Sequence, residues 1–262
     1  MYKHLNDGII LSLTGVSYND ETKMEKVEDI SFDLECGKNL VIFGPEKSGK
    51  DFILPLITGK IKPDSGNVIL ANRSVSEARK NELEEIRKSI GYVTGRSGLI
   101  NNLSVRENIL LPLRYHTQMP EEEMLEKADS LIRQYGLKKR ENDRPQKLIA
   151  SEILRVVFAR ALILKPALIL ADNAFDGHCP LSLAHFLEIA EKDIVKDNIS
   201  FIISTYMPTV ASGYGNRFLM LYEGKIVFDG NSLYTSNAYV EQYLRHPLSG
   251  PMNFRQEEDE SK

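Results

Sequence analysis

NLVIFGPEKSGKDFIL, residues 39–54, reads as a strand, a glycine-bounded loop and the opening of a helix. The strand is Asn39–Phe43, the loop runs from Gly44 to Asp51, and Phe52-Ile53-Leu54 begins the helix. Glycines at the first and sixth loop positions, followed by lysine, are what a phosphate cradle requires. Backbone N–H groups and the helix N-terminus face the anion, and the lysine reaches the β- and γ-phosphates. Gly44, Gly49 and Lys50 fit this pattern, with Lys47, Ser48 and Phe52 as further candidate contacts. The motif normally closes on Ser or Thr, whose hydroxyl binds Mg²⁺, and here it closes on Asp51. An aspartate is a hard oxygen donor able to ligate Mg²⁺. It also sets a negative charge beside the phosphates.

Around this stretch, strand-like runs alternate with helical spacing. Strands are expected at Ile9–Val16, Ile30–Leu34, Asn67–Leu70, Ser89–Val93, Ala167–Ala171, Ile199–Ser204, Arg217–Tyr222 and Lys225–Asp229. Helices are expected at Glu121–Tyr135, Ala150–Leu164 and Leu181–Lys196. The alternation predicts an α/β domain with a partly parallel sheet. Residues 95–147 read as helix and loop only, which predicts a helical insertion into the α/β core. The part from 231 onwards carries one amphipathic stretch (Tyr239, Val240, Tyr243, Leu244) and ends in an acidic run, Glu257–Glu260, that predicts disorder.

Bulk properties narrow the function. The net charge of -4 lacks the basic footprint of a nucleic-acid binder. Cys36 and Cys179 lie far apart and suggest neither a disulfide nor a metal site; Cys179 is expected as a small buried residue. His116, His178 and His185 are expected on surfaces or loops, without metal-ligand spacing. The N-terminus has no secretory pattern, and no apolar run is long enough to cross a bilayer. A soluble, cytoplasmic chain is the expectation, with any membrane role exercised through a partner.

A second long motif joins the first. Residues 144–172 read RPQKLIASEILRVVFARALILKPALILAD. Together the two stretches resemble the nucleotide-binding subunits of ABC transporters, in which P-x-x-L-S-G-G-Q leads into R-x-x-x-A-R-A-L and a hydrophobic strand ending in Asp-Glu. The resemblance covers nearly the whole chain and includes Leu103-Ser104-Val105-Arg106-Glu107-Asn108-Ile109 and the late turn Gly224-Lys225-Ile226-Val227. It implies a P-loop NTPase (RecA-like) ABC cassette with an antiparallel β subdomain and a helical subdomain. The cassette would span 1–230, with the helical subdomain inserted at about 95–150 and an extension at 231–262. It also implies ATP and Mg²⁺ as ligands, with Tyr18 stacking on adenine and Asp172 beside the metal. His116-Thr117-Gln118, Phe175-x-Gly177-x-x-Pro180 and Gly250-Pro251-x-x-Phe254 are similar to one subgroup, the ATPase subunits of Mla/Mce-type phospholipid transport systems.

Against that family pattern several positions depart. The glutamate after Asp172, which polarises the attacking water, is Asn173, and an amide accepts no proton at neutral pH. Gly95 stands for the Q-loop glutamine, Thr205 for the switch histidine and Cys179 for the D-loop aspartate. The signature reads Leu148-Ile149-Ala150-Ser151-Glu152 in place of L-S-G-G-Q. Phosphoryl transfer depends on positioning and charge, so these departures together predict a pseudo-ATPase, noncatalytic or weakly catalytic, that retains ATP with Mg²⁺ weak or absent. The implied partners are a multispanning permease, a second cassette (identical or different) and a small regulatory subunit, at the inner face of the cytoplasmic membrane. A coupling role predicts an exposed groove beside the helical segment 95–147. The competing expectations are an active ATPase that energises lipid transport, and a regulatory or structural module outside any transporter.

Overall fold

In a computed structural model, which describes residues 8–252 apart from 23, 96, 97, 214 and 248, the four apolar residues Leu40–Phe43 decide the layering. They lie in β3 (Asn39–Phe43), and period-two alternation sends them to opposite faces. Leu40 and Ile42 join one buried cluster, Val41 and Phe43 another. β7 (Leu168–Asp172), β8 (Ser200–Thr205) and β9 (Arg217–Tyr222) divide their apolar residues in the same way. Strands buried on both faces in this manner belong inside a parallel sheet covered on each side. The sheet has the order β10-β9-β3-β8-β7-β6, with β6 at Ile90–Thr94 and β10 at Lys225–Gly230. All neighbours run parallel except β10 against β9.

One face of this sheet packs on α1 (Lys50–Ile57) and a second sheet of order β2-β1-β4-β5, antiparallel throughout. Its strands are β1 (Ile9–Asp20), β2 (Glu25–Glu35), β4 (Ser65–Leu70) and β5 (Arg73–Ser74). The β1–β2 ladder continues beyond the apolar runs through Tyr18↔Val27 and Asp20↔Glu25, so both strands are longer than expected. Val27 is buried there, but the flanking Asn19, Asp20, Glu25 and Lys26 are polar and break the apolar alternation. A short charged helix, α2 (Lys80–Arg87), was not foreseen; Ile86 is its sole fully buried residue, too little for a visible periodicity.

Helices cover the other face: α3 (Val105–His116), α4 (Glu121–Gln134), α5 (Ala150–Leu162) and α6 (Pro180–Lys196). Tyr135, Phe158, Phe175, Phe186 and Phe201 interlock there, with Phe158 and Phe186 edge to face at 5.1 Å. α3 begins in a capping box. Ser104 Oγ accepts from the Glu107 N–H and the Glu107 carboxylate accepts from the Ser104 N–H, satisfying two otherwise orphaned donors. The buried Asn108 then bonds Ile100, Leu103 and Ser104 and fixes the loop leading into α3.

The amphipathic stretch near the end forms α7 (Ala238–Arg245). It is seated by Val240 and by Gln242, whose side chain accepts from the Met252 N–H at 2.7 Å and donates to the Met252 carbonyl at 3.0 Å. Glu257–Glu260 and Phe254 lie outside the described residues. No described helix is long and apolar enough to cross a membrane. Cys179 corrects the expectation of burial: its thiol is exposed at the start of α6. His116 and His185 are exposed, and His178 is half-buried in the loop before α6. A surface cleft of about 540 Å³ lies against α2, lined by Arg73, Glu77, Asn81 and Ile86. Its lining residues lie outside segment 95–147, beside which a docking groove was expected.

Candidate nucleotide site

β3 and β8 end side by side, Phe43 opposite Thr205, and so release two loops next to each other. The first is the Gly44–Lys50 loop. Gly44 and Gly49 are fixed by protein backbone: a Cβ on Gly44 would lie 2.2 Å from the Leu221 carbonyl oxygen, and one on Gly49 2.6 Å from that of Lys26. Lys47 takes a left-handed φ of 60°, the conformation glycine favours. The loop therefore keeps the shape of a phosphate cradle, with α1 starting immediately behind it. Ser48 is buried inside it, its Oγ 3.4 Å from the Lys50 N–H.

Lys50 is fully buried, and its ammonium is already engaged. Nζ lies 2.7 Å from Asp51 Oδ1 and 3.3 Å from the centroid of the Tyr206 ring. The Tyr206 hydroxyl donates to Asp51 Oδ2 at 3.1 Å. Asp176 accepts from the Thr205 hydroxyl and, at 3.1 Å, from the Tyr206 N–H. The Tyr206 carbonyl accepts from the Tyr243 hydroxyl of α7 at 2.8 Å. Thr205 also accepts from the Met207 N–H at 2.9 Å, so its one proton and its oxygen are used within the loop.

Asp172 sits at the end of β7. Tyr92 donates to its Oδ2 at 2.9 Å, and the Asn173 amide donates to its Oδ1 at 3.1 Å. Asn173 holds a φ of 46°, a region Asn tolerates better than most residues. Its Oδ1 and Ser204 Oγ are buried without a hydrogen-bond partner among the described residues. Gly95 packs directly against this turn, and a Cβ on it would lie 2.3 Å from the Asn173 carbonyl oxygen.

Tyr18 is half-buried and meets Phe52 edge to face at 5.2 Å, which puts it beside the start of α1. The Leu148–Glu152 segment forms the entry to α5. Leu148 is buried, and Ile149, the N-cap residue, is 64% exposed. Ile149 has no side-chain acceptor, so only half a capping box forms: the Glu152 carboxylate accepts from the Ile149 N–H at 3.0 Å. Glu152 also pairs with Arg140 at 3.1 Å. A carboxylate thus occupies the positive end of the helix, where an incoming anion would otherwise be attracted. Ala150 and Ser151 lie in the first turn of α5.

Asp51 and Asp172 are the two acids expected beside Mg²⁺. Both oxygens of each carboxylate already accept hydrogen bonds, and one of those donors is the Lys50 ammonium. No group of three or more His, Cys, Asp or Glu among the described residues could hold a metal. For ATP, the loop backbone fits and the lysine is occupied.

Four tyrosines carry raised phenol pKa values. Burial is the main cause for each; Asp172 adds to it for Tyr92, Asp193 for Tyr135, Asp51 for Tyr206 and Asp176 for Tyr243, which rises to about 12. Folding favours the neutral phenol. This contribution is complete below the unfolded value of about 10 and disappears as pH climbs through the folded values. Unfolding free energy is therefore expected to fall steadily above pH 10. Denaturant titrations between pH 9 and 11.5 check this, and Tyr243→Phe should shallow the slope.

Sequence reasoning placed Gly44, Ser48, Gly49, Lys50, Asp51, Phe52 and Tyr18 in one neighbourhood, and the fold brings them there. The residues not expected there are Tyr206, whose ring covers the Lys50 ammonium, Asp176, which accepts from Thr205, and Tyr243, which bonds the Tyr206 and Gly44 carbonyls. A parallel sheet in which β8 neighbours β3 would have pointed to Tyr206 by position, as the residue immediately after the strand.

A nucleotide loop on β3, a second loop on β8 and flanking antiparallel and helical layers define an ATPase cassette. A family model described as ABC transporter matches residues 27–176, and the chain belongs to that family. Cassettes of this family bind ATP, usually with Mg²⁺, dimerise, and pair with transmembrane permease subunits. The intermembrane phospholipid transport system ATP-binding protein MlaF of Haemophilus influenzae is 25% identical over 231 residues, 87% of this chain and 88% of that one. The phosphonates import ATP-binding protein PhnC of Treponema denticola is 30% identical over 229 residues, 85% and 90% of the two chains. Among solved structures, the dimeric ATP-binding cassette MJ0796 in a post-hydrolysis state with ADP and Pi superposes with a TM-score of 0.77 at 26% identity, over 84% and 98% of the two chains.

Proposed function

We propose that this chain is a noncatalytic or weakly catalytic ATP-binding cassette of an ABC transporter that moves phospholipids, of the Mla/Mce type. One observation carries the catalytic part: the residue after Asp172 is an asparagine whose amide donates to that carboxylate. No base stands there to orient and deprotonate water, and phosphoryl transfer without it loses its nucleophile-positioning group. The engaged Thr205, the side-chain-free Gly95 and the carboxylate-capped entry to α5 support the same reading. Mg²⁺ would bind weakly or not at all.

The cassette would comprise 1–230, with 95–150 as its helical subdomain and 231–262 as an extension. Through a multispanning permease it would sit on the inner face of the cytoplasmic membrane, with a second cassette and a small regulatory subunit. A partner cassette with intact motifs would supply hydrolysis. The likeness to the Haemophilus phospholipid protein favours lipid as the cargo, and the likeness to the Treponema phosphonate importer favours a small phosphorus-containing anion.

The test is purification of the native complex followed by turnover measurements. The expected result is co-purification with a permease and a second cassette, and no ATP turnover by this chain alone. Turnover by the chain alone, abolished by Lys50→Ala, would overturn the noncatalytic claim. Recovery with a phosphonate-binding component would overturn the lipid claim.

A further inference from the structure

Lys50 has the surroundings of a lysine that already holds its ligand. Its ammonium is wholly buried, lies 3.3 Å from the centroid of the Tyr206 ring and is neutralised by Asp51. Tyr206 is itself restrained at three points. Its hydroxyl bonds Asp51, its N–H bonds Asp176, and its carbonyl accepts from Tyr243. The Tyr243 oxygen also stands 3.2 Å from the Gly44 carbonyl oxygen, and its ring packs on Phe43 at 5.6 Å. α7 thus spans the first residue of the phosphate loop and the loop that carries the ring.

We propose that Tyr206 is a resident plug in the phosphate pocket, latched by Tyr243 of the C-terminal extension, so that a nucleoside triphosphate reaches Lys50 only when the ring is displaced. The inference rests on the reading of residues 44–51 as a nucleotide loop. Three physical points support it. A desolvated ammonium on an aromatic face is held more strongly than an exposed one. The lysine that reaches β- and γ-phosphates in such loops is the one covered here. Asp51 and the neighbouring Glu46 place negative charge where those phosphates would arrive. The ring obstructs the β- and γ-phosphate end of a ligand and leaves the adenosine end, beside Tyr18 and Phe52, untouched. Movement of α7 becomes the event that controls access.

The experiment is calorimetric titration of the full chain with ATP and, separately, with AMP, with thermal melts to confirm folding. Wild type is expected to bind the two within about threefold of each other. Tyr206→Ala should tighten ATP by at least about tenfold and leave AMP unchanged, because only the triphosphate reaches the uncovered lysine. Tyr243→Phe, which removes one hydroxyl, should shift ATP the same way by about threefold. A wild type that already prefers ATP tenfold overturns the proposal. So does an unchanged ATP-to-AMP ratio in Tyr206→Ala, or a Tyr206→Ala protein that binds neither. If Tyr206→Ala fails to fold, an unchanged ratio in Tyr243→Phe is decisive against the latch. Failure of the transporter reading shows itself separately, as the absence of a permease in the native complex.

Discussion

Gly95→Gln, which puts back the family's glutamine, is expected to destabilise the protein by about 3 kcal/mol and to lower its melting midpoint by roughly 6–12 °C. The first atom of any side chain at 95 meets the Asn173 carbonyl oxygen at 2.3 Å, with the Asn173 carbonyl carbon and Ala174 Cα close behind. These are backbone atoms, so no rotamer change relieves the contact. The turn they belong to is pinned at its other side by the bond from the Asn173 N–H to the Ser204 carbonyl and by the Gly95 N–H to the Asp172 carbonyl. Gly213→Ala, whose Cβ would meet nothing within 4 Å, serves as the control and should melt within about 0.5 kcal/mol of wild type. A Gly95→Gln protein as stable as wild type would show that the 173 turn yields freely. Asn173→Glu meets a related obstacle, since asparagine is more at ease at a φ of 46° than glutamate. The two altered positions are one packed unit, and reversing either alone works against the other.

The second large effect concerns Lys50. Asp51→Ala is expected to cost about 2 kcal/mol, whereas Lys50→Met should cost less than about 1 kcal/mol. Removing one partner of a buried pair leaves an uncompensated charge, at about 3–5 kcal/mol for a fully buried site. That figure is reduced here because Asp51 is 42% exposed and water reaches it. Lys50 has no exposure at all, so once Asp51 is gone its ammonium retains, among the described residues, the Tyr206 ring as counterpart. In Lys50→Met the remaining carboxylate can hydrate, and a similar volume of apolar chain fills the space. Chemical denaturation with and without Mg²⁺ reads both. If Asp51 served a metal instead of the lysine, Mg²⁺ would stabilise wild type and the order of the two variants would change.

Layering was largely legible in the sequence, because the apolar runs of β3, β7, β8 and β9 are continuous and flanked by turn residues, the signature of strands buried on both faces. The phosphate loop was legible because glycine spacing is a backbone requirement, and the close approaches at Gly44 and Gly49 are what impose it. The outer half of the β1–β2 hairpin and α2 were not, since polar edges and a nearly unburied helix leave no periodic trace. The contacts around Lys50 were hidden for another reason. Tyr206 and Tyr243 are brought to the loop by sheet order and by the docking of α7, and neither is encoded in local spacing. Thr205 stands at the position of the switch histidine, and the fold spends its hydroxyl proton on Asp176.

The central position of β3 has a bearing on how the molecule is made. Asn39 pairs with Phe201 on one side and Leu40 with Arg217 on the other, so both neighbours are translated long after it. At about 5–20 residues per second, the roughly 160 intervening residues keep the ribosome busy for about 8–30 s. Throughout that interval an apolar strand with two open edges has no parallel partner, a situation that invites pairing with other chains. β1 and β2 have already been made, α1 and β4 follow within the next thirty residues, and together they can shelter one face of it. Nascent chains arrested before β8 should therefore be the ones that recruit chaperones and aggregate.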